Sequence, residues 1–161
     1  MIATPQKAHS VDNTVDKKID YKTPRIDWSQ EDYAAFGLKT QLFNHQYHDL
    51  PLFQKETLIN VLDTYPREWL QAFTMGPDPT IRSDWQSVDI HPNSSGQDIW
   101  NAVEKGRLWL NLIFLQKYSQ DYANVVEGMY DYVGEHCPQL GGPKASFTTL
   151  LISSPSAQVY Y

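Results

Sequence analysis

The sequence predicts an α+β fold. Segments whose apolar residues recur at helical spacing alternate with short apolar runs that are typical of strands. Capping residues and glycines bound the helical segments, and the last part of the chain has a strand-like pattern. The chain has 161 residues, enough for one domain that buries a substantial core, and we assign residues 24–161 to that domain.

The first half of the chain predicts a tail followed by helices and strands. Residues 1–23 lack periodicity and have few large apolar groups, so we expect a disordered or loosely held tail. Ser29 and Asp32 form a capping-box pattern that begins a helix over 30–36, and Gly37 suits its end. The next predicted elements are a strand over 38–43, a helix over 54–64 closed by Pro66, and a strand over 68–75.

The second half predicts two helices and two strands. The pair Ser94-Ser95 caps a helix over 96–105, and Gly106 follows that helix. The apolar run 107–115 is typical of a buried strand, and Ser119 caps the longest helix, over 120–136. The closing strand covers 146–153, with alternating sets Thr148, Leu150, Ile152 and Thr149, Leu151, Ser153, and a Ser-Pro-Ser turn over 154–156 leads to Val159-Tyr160-Tyr161.

Composition and charge exclude several functional classes. The net charge of −6 argues against a nucleic-acid-binding surface, because phosphate binding requires a basic patch. The single cysteine excludes an intramolecular disulfide framework and fits a reducing compartment. No apolar run approaches membrane-spanning length. We therefore expect a soluble cytoplasmic protein with neither nucleic-acid nor membrane partners.

The segment HQYHD is the candidate metal site. Two histidines three residues apart, His45 and His48, could share one metal ion with Asp49. No third ligand follows at a recognisable spacing, so an ordinary polar loop is the better interpretation. A metal-binding protein centred on this segment is the least favoured hypothesis.

The remaining histidines and the cysteine have structural interpretations. His91 lies in a turn-rich segment, and His136 ends the longest predicted helix, where the helix dipole favours an imidazolium. Cys137 is its neighbour, but adjacency in sequence does not give the facing geometry that an activated nucleophile needs. These residues therefore disclose no reaction.

Three segments together resemble a known family. FTMGPDP, GRLWLNL and LLISSPSAQVYY, in this order and at about this spacing, resemble the N-terminal part of bacterial cupin-like proteins of the JmjC type. These proteins are related to the Fe(II)/2-oxoglutarate-dependent protein hydroxylases. The likeness extends from about His45 to Tyr161.

The resemblance implies more about the fold than the apolar periodicity and the capping residues do. It implies a helical N-terminal region, one or two strands of a supporting sheet, and the opening strands of an incomplete double-stranded β-helix, or jelly roll. In that family a strand resembling 147–152 leads to His-x-Asp, the first two iron ligands, and a distant histidine completes the set. The resemblance places His-x-Asp directly after Tyr161. We therefore expect a truncated, inactive chain that binds neither Fe(II) nor 2-oxoglutarate, the cofactors implied for full-length relatives.

The resemblance also implies residues of the cofactor pocket. Trp109 and Asn111 occupy positions where such hydroxylases often carry a tyrosine and an amide near the cosubstrate and substrate. Val159 falls where a hydroxyl would contact 2-oxoglutarate, and Tyr160 or Tyr161 could supply that hydroxyl instead. The alternative interpretation of Trp109 is a buried strand aromatic. No catalytic residue and no metal ligand is assigned in this chain.

Two further expectations concern partners. The relatives would hydroxylate a protein or a small molecule, whereas the alternative is a complete, non-enzymatic binding domain that uses its aromatic residues to hold a partner. The strand 146–153 and the run 159–161 carry no lysine or other charge that would blunt an exposed edge. We therefore expect the chain to self-associate through its C-terminal strand edge.

Overall fold

A computed structural model describes residues 19–74, 76, 78, 81–141 and 147–155. Its helices are α1 (Gln30–Ala35), α2 (Lys55–Thr64), α3 (Gly96–Lys105), α4 (Leu115–Tyr118) and α5 (Gln120–His136). Its strands are β1 (Ile26–Asp27), β2 (Asn44–His45), β3 (Leu70–Thr74), β4 (Gln86–Val88), β5 (Leu108–Ile113) and β6 (Thr149–Ser153). The mixture of helices with antiparallel strands confirms the predicted α+β class.

The main sheet has four strands in the order β4-β3-β5-β6, and all neighbours are antiparallel. A separate two-stranded ribbon pairs β1 with β2. In the main sheet Leu110 lies opposite Ala72 on one side and Ile152 on the other. The division of these strands into supporting strands and opening strands of a jelly roll stays a prediction.

The core lies between one face of this sheet and the helices. Leu110, Leu112 and Ile152 on that face cluster with buried residues of three helices. Those residues are Val61 and Leu62 of α2, Ile99 and Val103 of α3, and Tyr122 and Val125 of α5. Strand alternation explains the arrangement, because every second side chain of β5 and β6 points to the same face.

The predicted helices are confirmed, and local signals explain why. Ser29 with Asp32, and Ser95 with Asp98, each form a complete capping box at the start of α1 and α3. The bounds of α5 are those predicted. None of the described helices combines the length and the apolar character that crossing a membrane would require.

The predicted strand over 38–43 is wrong. These residues form no strand, and Leu38 and Leu42 are 83% and 97% exposed. The ribbon pairs Ile26–Asp27 with Asn44–His45 instead. An apolar run becomes a strand only where another strand pairs with it, and the segment 38–43 has no such partner among the described residues.

Besides the two ribbon strands β1 and β2, the strand β4 and the helix α4 were not predicted from the sequence. The short strand β4 pairs its three residues with β3. The run 107–115 was predicted as one strand, yet β5 stops at Ile113 because Phe114 adopts a left-handed conformation with φ of 62°. The chain then turns into α4.

The end of the predicted tail is held against α5. Tyr21 packs on the core cluster, and Lys22 Nζ lies 2.8 Å from a carboxylate oxygen of Glu127. The Lys22 main chain lies so close to Gly128 that a Cβ at Gly128 would collide with the Lys22 carbonyl. These contacts involve the described end of the segment 1–23, and residues 1–18 lie outside the described residues, so the tail over 1–23 stays a prediction.

Candidate functional site

The second face of the main sheet, turned away from the helices, carries both residues that the resemblance singled out. Strand alternation and register place Gln71, Phe73, Trp109, Asn111 and Leu151 together there, and we call this set the open face. Gln71 and Leu151 lie directly opposite Asn111 on its two neighbouring strands. Gln71 is exposed and Leu151 is 40% exposed, so part of this face is available to a partner or a further layer.

Trp109 is the buried centre of an aromatic cluster on the open face. Its ring stacks on Phe73 with the ring centroids 5.1 Å apart, and Trp85 meets it edge-on at 4.9 Å. Trp109 is only 6% exposed, which agrees with the alternative interpretation of a buried strand aromatic. Its contribution to a cofactor pocket stays a prediction.

Asn111 carries an unsatisfied polar atom. Its Oδ1 is buried and has no hydrogen-bond partner among the described residues. A buried acceptor left without a donor costs about 1–3 kcal/mol. An N–H or O–H donor placed over the open face would remove that cost, so the position of Asn111 is suited to contacting a ligand or a further layer of structure.

Ser154, which directly follows β6, holds the end of this strand in place through hydrogen bonds. It is 2% exposed; its hydroxyl accepts the Leu108 main-chain N–H at 2.9 Å and donates to the Val103 carbonyl. The sequence placed Ser154 only in a turn, and a serine directly before a proline was the available signal. Tyr161, Tyr160 and Val159, which the resemblance placed at the pocket, lie outside the described residues.

The HQYHD segment brings its histidines close together but leaves them in solvent. The His45 and His48 ring centroids are 6.0 Å apart, and His48 Nε2 lies 3.3 Å from Asp49 Oδ1. The side chains of His48 and Asp49 are 69% and 65% exposed. Within the described part of the chain, no group of three histidine, cysteine or acidic residues could hold a metal ion. The described residues therefore do not supply an iron ligand set, and no reaction step through iron follows from them.

The other histidines and the cysteine make structural contacts. His91 Nδ1 accepts the Asn93 main-chain N–H at 3.2 Å, as expected in a turn. His136 packs against the ring of Tyr33, and its Nδ1 lies 2.9 Å from the Tyr132 carbonyl. Cys137 is fully buried with its thiol directed at the Tyr33 carbonyl, so it lacks the access that a nucleophile requires.

Comparisons with protein-family models, with curated proteins and with solved structures find no match to this chain. A functional hypothesis therefore depends on the geometry of the chain itself. The open face is the feature on which such a hypothesis can be built, because it combines aromatic side chains, two amides and an unsatisfied acceptor.

Proposed function

We propose that this chain is the N-terminal portion of a JmjC-type cupin-like protein. Its four-stranded sheet would support the jelly-roll barrel of an Fe(II)/2-oxoglutarate-dependent hydroxylase. The observation that carries the proposal is that Trp109 and Asn111 lie on the open face. Spacing alone puts the two residues on one face of a strand, but it does not say whether that face meets the helices or is turned away from them.

A sheet with one face packed on helices and the other carrying aromatic and amide groups suits a cavity wall. A second sheet packed on it would lie about 10 Å away and would enclose the space above Asn111. The Asn111 amide offers both a donor and an acceptor, so it could bind a carboxylate oxygen of 2-oxoglutarate and a donor group of the substrate. The metal ligands would come from residues other than the described ones, and the chain alone would be inactive.

Binding of 2-oxoglutarate tests this proposal. The protein expressed from the complete reading frame that contains this chain should bind 2-oxoglutarate in the presence of an inert substitute for Fe(II), as measured by calorimetry. Asn111→Ala should weaken that binding about tenfold or more, because a charge-assisted hydrogen bond is lost.

The matched control is Asn60→Ala, which removes an exposed amide from α2 and should leave the affinity unchanged. Absence of 2-oxoglutarate binding by the unaltered protein would contradict the proposal and favour a non-enzymatic binding domain. Equal binding by Asn111→Ala would show that the open face does not border the cosubstrate pocket.

A further inference from the structure

Residues 24–45 form a surface segment that lies outside the core. The segment contains β1, α1 and β2, and none of its residues is buried or belongs to the core cluster. The chain is anchored on either side of it, because Tyr21 and Tyr47 both pack against that cluster. We call residues 24–45 the flap.

The two ends of the flap are joined to each other. The antiparallel pairing of β1 with β2 sets Ile26 opposite His45. The Gln46 main-chain N–H donates to the Arg25 carbonyl at 2.9 Å and extends this pairing. Because its ends meet in one ribbon, the flap forms a compact supersecondary unit, and such units commonly open as a whole.

Tyr33 attaches the flap to the end of α5. Its hydroxyl shares a hydrogen bond with the Tyr132 hydroxyl at 2.6 Å, and its ring stacks on His136 with the ring centroids 4.7 Å apart. The rings of Trp28 and Tyr132 add a contact at 6.2 Å. All four side chains belong to residues that are only partly buried, so these contacts remove less surface from water than the packing of the core does.

Cys137 lies beneath the flap. It has no exposed surface, and its Sγ is 3.7 Å from the Tyr33 carbonyl oxygen, to which the Gln139 side-chain amide also donates at 3.5 Å. We propose that the flap detaches from α5 as one unit while the core stays folded, and that its opening controls access to Cys137, Tyr132 and His136. A region that has few buried apolar contacts opens at a lower cost in free energy than the core does.

Thiol labelling of the full chain at increasing urea concentrations tests the proposal. Cys137 is the single cysteine, so its reaction with dithiobis(nitrobenzoate) reports the opening that uncovers it. The thiolate attacks the disulfide of the reagent, forms a mixed disulfide and releases thionitrobenzoate. Without urea, labelling should be at least about tenfold faster than global unfolding, followed by circular dichroism, would permit. It should change little at low urea concentrations, because opening of the flap exposes little surface.

Three substitutions distinguish opening of the flap from global unfolding. Tyr33→Phe removes the hydrogen bond to Tyr132 and should speed labelling about two- to tenfold. Ile99→Val weakens the core, so it should lower the free energy of global unfolding, yet it should leave labelling without urea unchanged because the core stays folded in the open state. Tyr130→Phe removes an exposed hydroxyl from α5, is the matched control for Tyr33→Phe, and should change neither quantity.

Hydrogen exchange of the main-chain amides shows which part of the chain opens. The amides of α1 and of the ribbon should exchange at least as readily as Cys137 is labelled, whereas those of β5 stay protected. Labelling that follows global unfolding at every urea concentration would overturn the proposal. So would an equal effect of Ile99→Val and Tyr33→Phe on labelling, or amides of α1 and the ribbon that remain protected while Cys137 is labelled.

Discussion

Three tyrosine hydroxyls make long-range contacts that hold separate parts of the chain together. Tyr65 donates to the Ile113 carbonyl at 2.7 Å, and Tyr122 donates to the Leu52 carbonyl at 2.6 Å. Burial raises the pKa of each of these two hydroxyls to about 12. Tyr132 also has a pKa of about 12, chiefly because its hydroxyl shares a hydrogen bond with another tyrosine hydroxyl.

Because of the raised pKa of these three tyrosine hydroxyls, we expect the folded protein to lose stability in alkaline solution. The folded protein keeps each phenolic proton up to about pH 12, whereas an unfolded tyrosine loses it near about pH 10. The contribution to the free energy of unfolding is therefore intact below about pH 10 and falls as the pH rises from about 10 to about 12. Urea unfolding followed at about pH 8, 10 and 11 measures this fall in the free energy of unfolding.

Two tyrosine-to-phenylalanine variants distinguish the loss of stability caused by tyrosine ionisation from other losses of stability at high pH. Tyr122→Phe should make the fall with pH shallower, because one titrating group is removed. Tyr130→Phe removes an exposed hydroxyl from the same helix and is the matched control. A free energy of unfolding that stays constant up to about pH 11 would contradict the prediction.

Single residues also show what the sequence could and could not predict. The spacing of Trp109 and Asn111 sufficed to place them on one face of a strand, since alternation is a local property. Ser154 was predicted only as a turn residue, because its partners Leu108 and Val103 are more than 40 residues away in the chain.

At the scale of elements, helices were predictable and strands less so. A capping box involves four consecutive residues, so the start of α1 and the start of α3 could be identified locally. A strand needs a partner that can lie anywhere in the chain. The segment 38–43 therefore matched a strand pattern without becoming one, whereas β4, with its exposed residues, became a strand by pairing with β3.

Because β6 lies at an edge of the described sheet, we expect the isolated chain to self-associate. It is the last strand of the described sheet, and its residues Thr149–Ser153 carry no charge. Such an edge can pair with the same edge of a second copy. Leu151→Lys should reduce the oligomeric fraction measured by light scattering across a range of protein concentrations.

The matched control for that substitution is Leu42→Lys. Leu42 is 97% exposed and lies in the segment 38–43, away from β6, so its substitution adds the same charge without altering the edge. A chain that is monomeric at all concentrations would contradict the prediction. An equal effect of the two variants would mean that net charge, and not the β6 edge, controls association.

At the scale of the whole molecule, the α+β class was predictable and the arrangement was not. The class follows from local periodicities summed along the chain. The strand order β4-β3-β5-β6 and the face that meets the helices depend on which apolar side chains pack together.

The transcript directly downstream of the Tyr161 codon can be sequenced to test whether this chain is the N-terminal portion of a JmjC-type cupin-like protein. We expect an in-frame or frameshifted continuation that encodes His-x-Asp immediately after Tyr161, followed by the further strands that would pack over the open face. A stop codon followed by unrelated sequence, found in several independent clones, would contradict the proposal that this chain is the N-terminal portion of a JmjC-type cupin-like protein.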